Sequence, residues 1–149
     1  MKTEEFFELA IDKFKLKVPK GYWYAGYDTW AKVEGDVATI GITDFLQTKL
    51  GDILFFSPVK TQAFEQDDIL GSIESIKATI ELTMPVSGKL ISFNEKLQEH
   101  SELLSEDPYG EGWIAKVEMT DWANDQVMLL SPEKYFGLMQ EKAKNALIR

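Results

Sequence analysis

The sequence of 149 residues contains no cysteine, which excludes disulfides, thiolate metal sites and a cysteine nucleophile. Its single histidine, His100, leaves too few imidazoles for the usual histidine-rich zinc site. Positive charge is also scarce. Sixteen Lys and Arg stand against 25 Asp and Glu, a net charge of −9, and phosphate recognition needs a basic face, so nucleic acid is not an expected partner. No apolar run approaches the roughly 20 residues of a membrane span. The opening "MKTEEFFELAIDKFK" carries acidic residues where a secretory signal would be basic. The chain is therefore expected to be complete, cytoplasmic and without a membrane partner.

What is present fits one domain with its own core: 44% hydrophobic residues, 28% charged, and no low-complexity segment. Residues 3 to 15 read as a helix. Thr3 is its candidate N-cap, Glu4 and Glu5 lie in the first turn, Lys13 and Lys15 in the last, and Phe7, Ala10, Ile11 and Phe14 recur at helical spacing. From Trp30 the pattern turns to β. "TWAKVEGDVATIGIT" predicts a hairpin around Glu34, Gly35 and Asp36, with Ala38, Ile40 and Ile42 on one face. "TDFLQTKLG" predicts a short helix with Asp44 and Gln47 at capping-box spacing and Gly51 as its stop. "DILFFSP" reads as a strand buried on both faces. "PVSGKLISFN" and "WIAKVEM" read as two more strands, and "DPYG" fits a type I turn by position. Ser131 and Pro132 begin a C-terminal helix whose apolar face is Tyr135, Met139, Ala143 and Ala146. Many short strands with helical ends indicate a small β-sandwich or barrel.

Lys77 stands apart within "GSIESIKATIELTMPVSG". Ile73 lies on the odd-numbered face, whereas Ile76, Ala78, Ile80 and Leu82 lie on the even one. A period of two cannot hold both, so the phase slips between residues 73 and 76, as a tight turn or bulge allows. Lys77 is thus expected at or beside a turn. Most lysines are solvated charges without a role. A catalytic lysine also needs burial or nearby cations, and Glu74 and Glu81 supply neither. An exposed ammonium at a turn does offer access to a modifying enzyme, and acylation removes its charge.

Glu74, Ser75, Ile76, Lys77 and Ala78, followed by "PVSG" at Pro85 to Gly88, resemble the lipoyl-attachment motif of the glycine cleavage H-protein family. The similarity runs from Tyr24 to about Asp121. It includes "IGITDFLQTKLGDI" and the stretch from Asn94 through "EDPYGEGW". The resemblance implies a mainly β fold, the barrel-sandwich hybrid of two antiparallel sheets, here with short N- and C-terminal helices. It divides the chain into a helical extension (1–20), a lipoyl-carrier domain (21–130) and a C-terminal helix on the same domain (131–149). It implies lipoate in amide linkage to Lys77, with Glu74, Ser75, Ile76 and Ala78 read by the lipoate-attaching enzyme. The implied role is that of a monomeric carrier without catalysis of its own. It would shuttle an aminomethyl group between glycine decarboxylase, aminomethyltransferase and dihydrolipoyl dehydrogenase. An alternative is a related lipoyl carrier of sulfur for a heterodisulfide-reductase-like system, and another is a non-lipoylated interaction module.

The pattern is broken in places. Asp28 stands where "YxxxHxW" has histidine, a change readable as simple drift at a strand edge. Thr61 and Asp67 replace turn glycines, and Ile80 and Thr83 replace a serine and a tyrosine. A biotin carrier is disfavoured because Lys77 lacks flanking methionines. Glu95, Glu99, Glu102, Glu106, Asp107 and Glu111 crowd one polar segment and are expected to be solvated, with His100 at the surface. Tyr22, Trp23, Tyr24, Tyr27 and Trp30 are expected to pack, with one ring left exposed.

Overall fold

The computed structural model describes residues 5–147. The chain begins with β1 (Phe6–Ile11) and β2 (Phe14–Pro19), a hairpin rather than the expected helix. "FKLKVP" shows why: Lys15 and Lys17 are exposed, while Leu16 and Val18 between them are 0% and 1% exposed. That period of two defeats a helical spacing that requires Ala10 to be buried, and Ala10 is exposed. Asp12, at φ 52°, makes the turn. Thr3 and Glu4, the proposed helix start, lie outside the described residues.

The central elements follow the sequence closely. They are β3 (Trp23–Tyr24), β4 (Thr29–Glu34), β5 (Val37–Ile42), α1 (Asp44–Leu50), β6 (Ile53–Pro58), β7 (Ala63–Phe64), β8 (Ile69–Ser75), β9 (Thr79–Thr83) and β10 (Gly88–Phe93). A 3-10 turn at Glu95–Gln98 and α2 (Leu103–Glu106) lead to β11 (Ala115–Met119). Then come α3 (Trp122–Asp125), a second 3-10 turn at Gln126–Met128, and α4 (Pro132–Leu147). β3-β4-β5-β11-β10-β7 form a six-stranded antiparallel sheet, and β6-β8-β9 a three-stranded one. Ala38, Ile40, Ile42 and Val117 of the first share one core with Phe56, Leu70, Ile73 and Leu82 of the second. This is the mainly β sandwich that the resemblance implies, with helices at its margins. No described helix is long and apolar enough to cross a membrane.

Two local expectations change. Thr43, not Asp44, caps α1, its Oγ1 accepting from the Leu46 N–H at 3.3 Å. Asp44 accepts instead from Gln47 Nε2 and from the Lys17 N–H. In β6, register slips between Ile53 and Phe55, which pair with Ser75 and Glu74. This bulge leaves Leu54 and Phe55 44% and 62% exposed, so β6 is not buried on both faces. The type I turn at "DPYG" is present, Gly110 N–H donating to the Asp107 carbonyl at 3.1 Å.

The aromatic segment packs as expected: Tyr22, Tyr24 and Trp30 are buried, and Tyr27 is the exposed ring. Asp28, by contrast, is 6% exposed and organised. The Tyr135 hydroxyl donates to its Oδ1 at 2.7 Å and meets Thr43 Oγ1 at 2.8 Å. Lys142 Nζ lies 3.0 Å from Asp28 Oδ2 and donates to the Gly26 carbonyl at 2.6 Å. Asp28 therefore fastens α4 to the sandwich, and drift at a tolerant edge does not describe it. α4 meets the sandwich again where Tyr135 stacks on Tyr24, centroids 4.6 Å apart. The N-terminal hairpin is held at its β2 edge, where the Tyr109 hydroxyl donates to the Lys17 carbonyl at 2.7 Å.

Tyr135→Phe removes a hydrogen bond to a buried carboxylate and should cost about 2 kcal/mol. Melting should show a Tm lower by roughly 4–8 °C; an unchanged Tm would mean that Lys142 alone holds Asp28. Burial pushes the phenols of both Tyr109 and Tyr135 well above the ordinary tyrosine value of 10.0. In the unfolded chain these groups ionise near pH 10 while the folded chain keeps their protons. Stability is thus fully present below about pH 10 and falls as pH rises above it. Denaturant midpoints between pH 8 and 11 should show this decline, with phenolate absorbance from these rings rising only as the chain unfolds.

Candidate functional site

The phase slip read from the sequence is the β8–β9 hairpin. Glu74 pairs with Thr79 and Ile73 with Ile80, so Ile76 and Lys77 form its tip between Ser75 and Ala78. Hairpins with two-residue tips favour turns with positive φ, yet neither tip residue has one. Ser75 supplies what the backbone does not. Its N–H donates to the Ala78 carbonyl at 2.8 Å, and its Oγ accepts from the N–H groups of Lys77 (3.2 Å) and Ala78 (3.1 Å). Ser75 is 7% exposed, so its hydroxyl serves the turn from within. The Ile76 N–H donates to the Asp52 carbonyl at 3.1 Å, which fastens the tip to the segment after α1.

Around that root the side chains diverge. Ile76 is 62% exposed, and Glu74, Lys77, Ala78 and Thr79 are exposed with it. The Lys77 stem crosses Gly51, where an added Cβ would sit 3.5 Å from its Cε. Gly51 has φ 75°, so a side chain there would be strained, although its Cβ would meet the lysine only at ordinary van der Waals distance. Beside Lys77 opens a cleft of about 510 Å³. Asp12, Lys13 and Phe14 of the β1–β2 turn line it, with Thr48 of α1 and Ala146 and Leu147 of α4. Sequence inspection joined neither terminus to Lys77; the hairpin and α4 bring both there.

"PVSG" is architectural. The Ser87 N–H donates to Asp125 Oδ2 at 2.6 Å, and Gln66 Nε2 donates to the carbonyls of Pro85 and Asp125. A Cβ on Gly88 would lie 2.7 Å from the Glu118 carbonyl oxygen, so only glycine lets β10 approach β11 there. Asp125 and Gln66 carried no readable signal, since their partners are 38 and 19 or more residues away. Glu95, Glu99, Glu102, Glu106, Asp107, Glu111 and His100 are all exposed. Glu111 pairs with Lys96 at 2.7 Å, which lowers its carboxyl pKa, and Glu102 lies 3.0 Å from His100, its carboxyl lowered first by its own backbone N–H and then by that contact.

The residues present fit a lipoyl group in amide linkage. Lys77 is exposed at a fixed root, and the adjoining cleft is open.

Comparison with known proteins agrees with this geometry. The model of the family described as glycine cleavage H-protein matches residues 22–142. A glycine cleavage system H protein of Carboxydothermus hydrogenoformans is 44% identical over 129 residues, 85% of this chain and 98% of the relative. A probable glycine cleavage system H protein of Aeropyrum pernix is 40% identical over 136 residues, 91% of this chain and 93% of the relative. The crystal structure of a glycine cleavage system H protein from Mycobacterium marinum superposes with a TM-score of 0.73 at 26% identity, covering 84% of this chain and 99% of that one. These names agree with the first of the carrier readings rather than with the sulfur carrier or the unmodified module. The β1–β2 hairpin lies before the matched span, but the Lys77 hairpin, the "PVSG" clamp and the Asp28 anchor all lie within it, and the chain belongs to the glycine cleavage H-protein family.

Proposed function

We propose that this chain is the lipoyl carrier of a glycine cleavage system, with Lys77 as its attachment residue. The observation that carries the reading is the Ser75-stapled tip, which fixes the root of a solvent-exposed lysine and leaves its end free. When bound, lipoate supplies a dithiolane that accepts the aminomethyl group of glycine at sulfur and cycles through the dithiol. The chain's own residues do not perform that chemistry. They hold the root of the arm and present the tip from the three-stranded sheet. Glycine decarboxylase, aminomethyltransferase and dihydrolipoyl dehydrogenase are the proposed partners, met in turn by a single carrier chain in the cytoplasm. Tethering raises the effective concentration of the arm's end at each of them.

Glu74, Ile76 and Ala78 are the proposed contacts of the lipoate-attaching enzyme, with Ser75 acting through the shape of the turn. Lys77→Arg keeps the charge and offers no amine that can be acylated under the same conditions. In a reconstituted system, the variant should lose glycine-dependent exchange of labelled bicarbonate to background. Its stability should stay within about half a kcal/mol of the parent, as for other exposed positions. Retained exchange with the Arg variant would contradict the assignment of Lys77.

A further inference from the structure

The Leu54 bulge has a directional consequence. Ile53 is buried, so simple alternation would point Phe55 into the core beside it. One additional residue reverses that, sending Phe56 inward at 5% exposure and Phe55 outward at 62%. A bulge next to a site commonly re-aims a side chain. Phe55 pairs directly with Glu74, and Glu74 with Thr79, so these three stand in a row on the outer face of the three-stranded sheet, one step from the tip. Glu81 lies on the same face, cross-strand from Ser72, and Asp52 is exposed beside the bulge. The row thus sets an aromatic ring directly across from one carboxylate, with Glu81 farther along the same face and Asp52 next to the bulge. Among the described residues the ring packs against neither hydrophobic core.

We infer that Phe55, with Glu74 and Thr79, forms the docking face for the enzyme that acylates Lys77, a partner presenting an apolar pocket rimmed by cations. The inference rests on the carrier reading above and extends it to a strand distant in sequence. Charge complementarity fixes the sign of the partner's rim. Geometry fixes which partner it is. The enzymes that handle cargo meet the far end of a long arm and need not grip its root. An enzyme that acylates Lys77 from lipoate and ATP must bring an acyl-adenylate to Nζ itself. There the N–C amide bond forms, the acyl–phosphate bond breaks, AMP leaves, and the ammonium releases two protons to solvent. A docking face one residue pair from the tip positions that encounter, and a desolvated aromatic anchor is the usual centre of such a contact.

The test uses the full unmodified chain with a purified lipoate-attaching enzyme, lipoate and ATP, reading mass gain at Lys77 against time and carrier concentration. Phe55→Ala should lower kcat/KM at least tenfold, mainly through KM, with an unchanged melting temperature because the ring is exposed. Glu74→Lys should do the same through charge, whereas Ile91→Ala, an exposed apolar site on the other sheet, should stay within twofold of the parent. Equal kcat/KM for Phe55→Ala and a parent that is modified at Lys77 overturns the docking face while leaving the carrier reading intact. So does a Phe55→Ala defect seen only in KM for glycine decarboxylase. A parent chain that gains no mass at Lys77 overturns both.

Discussion

The hydroxyl of Ser75 accepts from two successive N–H groups, those of Lys77 and Ala78, and the usefulness of the hairpin depends on it. A carrier side chain must be free at its end and fixed at its root, and those demands conflict in an ordinary turn. A loose tip would spread the lysine over many directions, and a buried one would deny access. The serine resolves the conflict by satisfying tip N–H groups from inside the sheet, where backbone torsions alone do not. The tip gains order without covering the lysine. Gly51, at φ 75°, makes the turn after α1 that a residue with a side chain would adopt only with strain.

The rest of the chain holds that hairpin in a fixed frame. "PVSG" follows β9 and is clamped by Asp125 and Gln66, which secures the strand leaving the tip. Asp52, just after α1, accepts from Ile76, and α1 is in turn tied to the N-terminal hairpin through Asp44 and Tyr109. Asp28 completes the frame by binding α4 through Tyr135 and Lys142. A partly buried ion pair contributes less net stability than its geometry suggests, because both charges lose water. Its clearer effect is orientational: α4 has one docking position, and the end of that helix reaches the cleft beside Lys77. The N-terminal hairpin and the C-terminal helix thus converge on the proposed attachment site from opposite ends of the sequence.

Much of this was legible from local pattern, and the failures have specific causes. Lys77, the β4–β5 hairpin and α4 carry short-range signals: a phase slip, alternation around a turn, and a cap before an apolar face. The N-terminal hairpin was obscured because Phe7, Ala10, Ile11 and Phe14 also satisfy a helical spacing. The strict alternation of "FKLKVP" was the better guide, since tertiary burial of Leu16 and Val18 decided the outcome. The bulge in β6 could not be read, because "DILFF" is apolar in every register and only pairing with β8 shows which ring turns outward. Asp28 resisted for a related reason. Its partners Tyr135 and Lys142 are more than 100 residues away, so the same carboxylate that looks like drift in sequence proves to be a buried anchor in space.

Membership of the glycine cleavage H-protein family and the shape of the tip support one proposed covalent attachment. The decisive measurement is the intact mass of the protein isolated from its own host, followed by peptide mapping across residues 71–88. The account predicts the mass of one lipoyl amide, located on Lys77. An unmodified Lys77 in cells supplied with lipoate, or a lipoyl group on any other lysine, would contradict it.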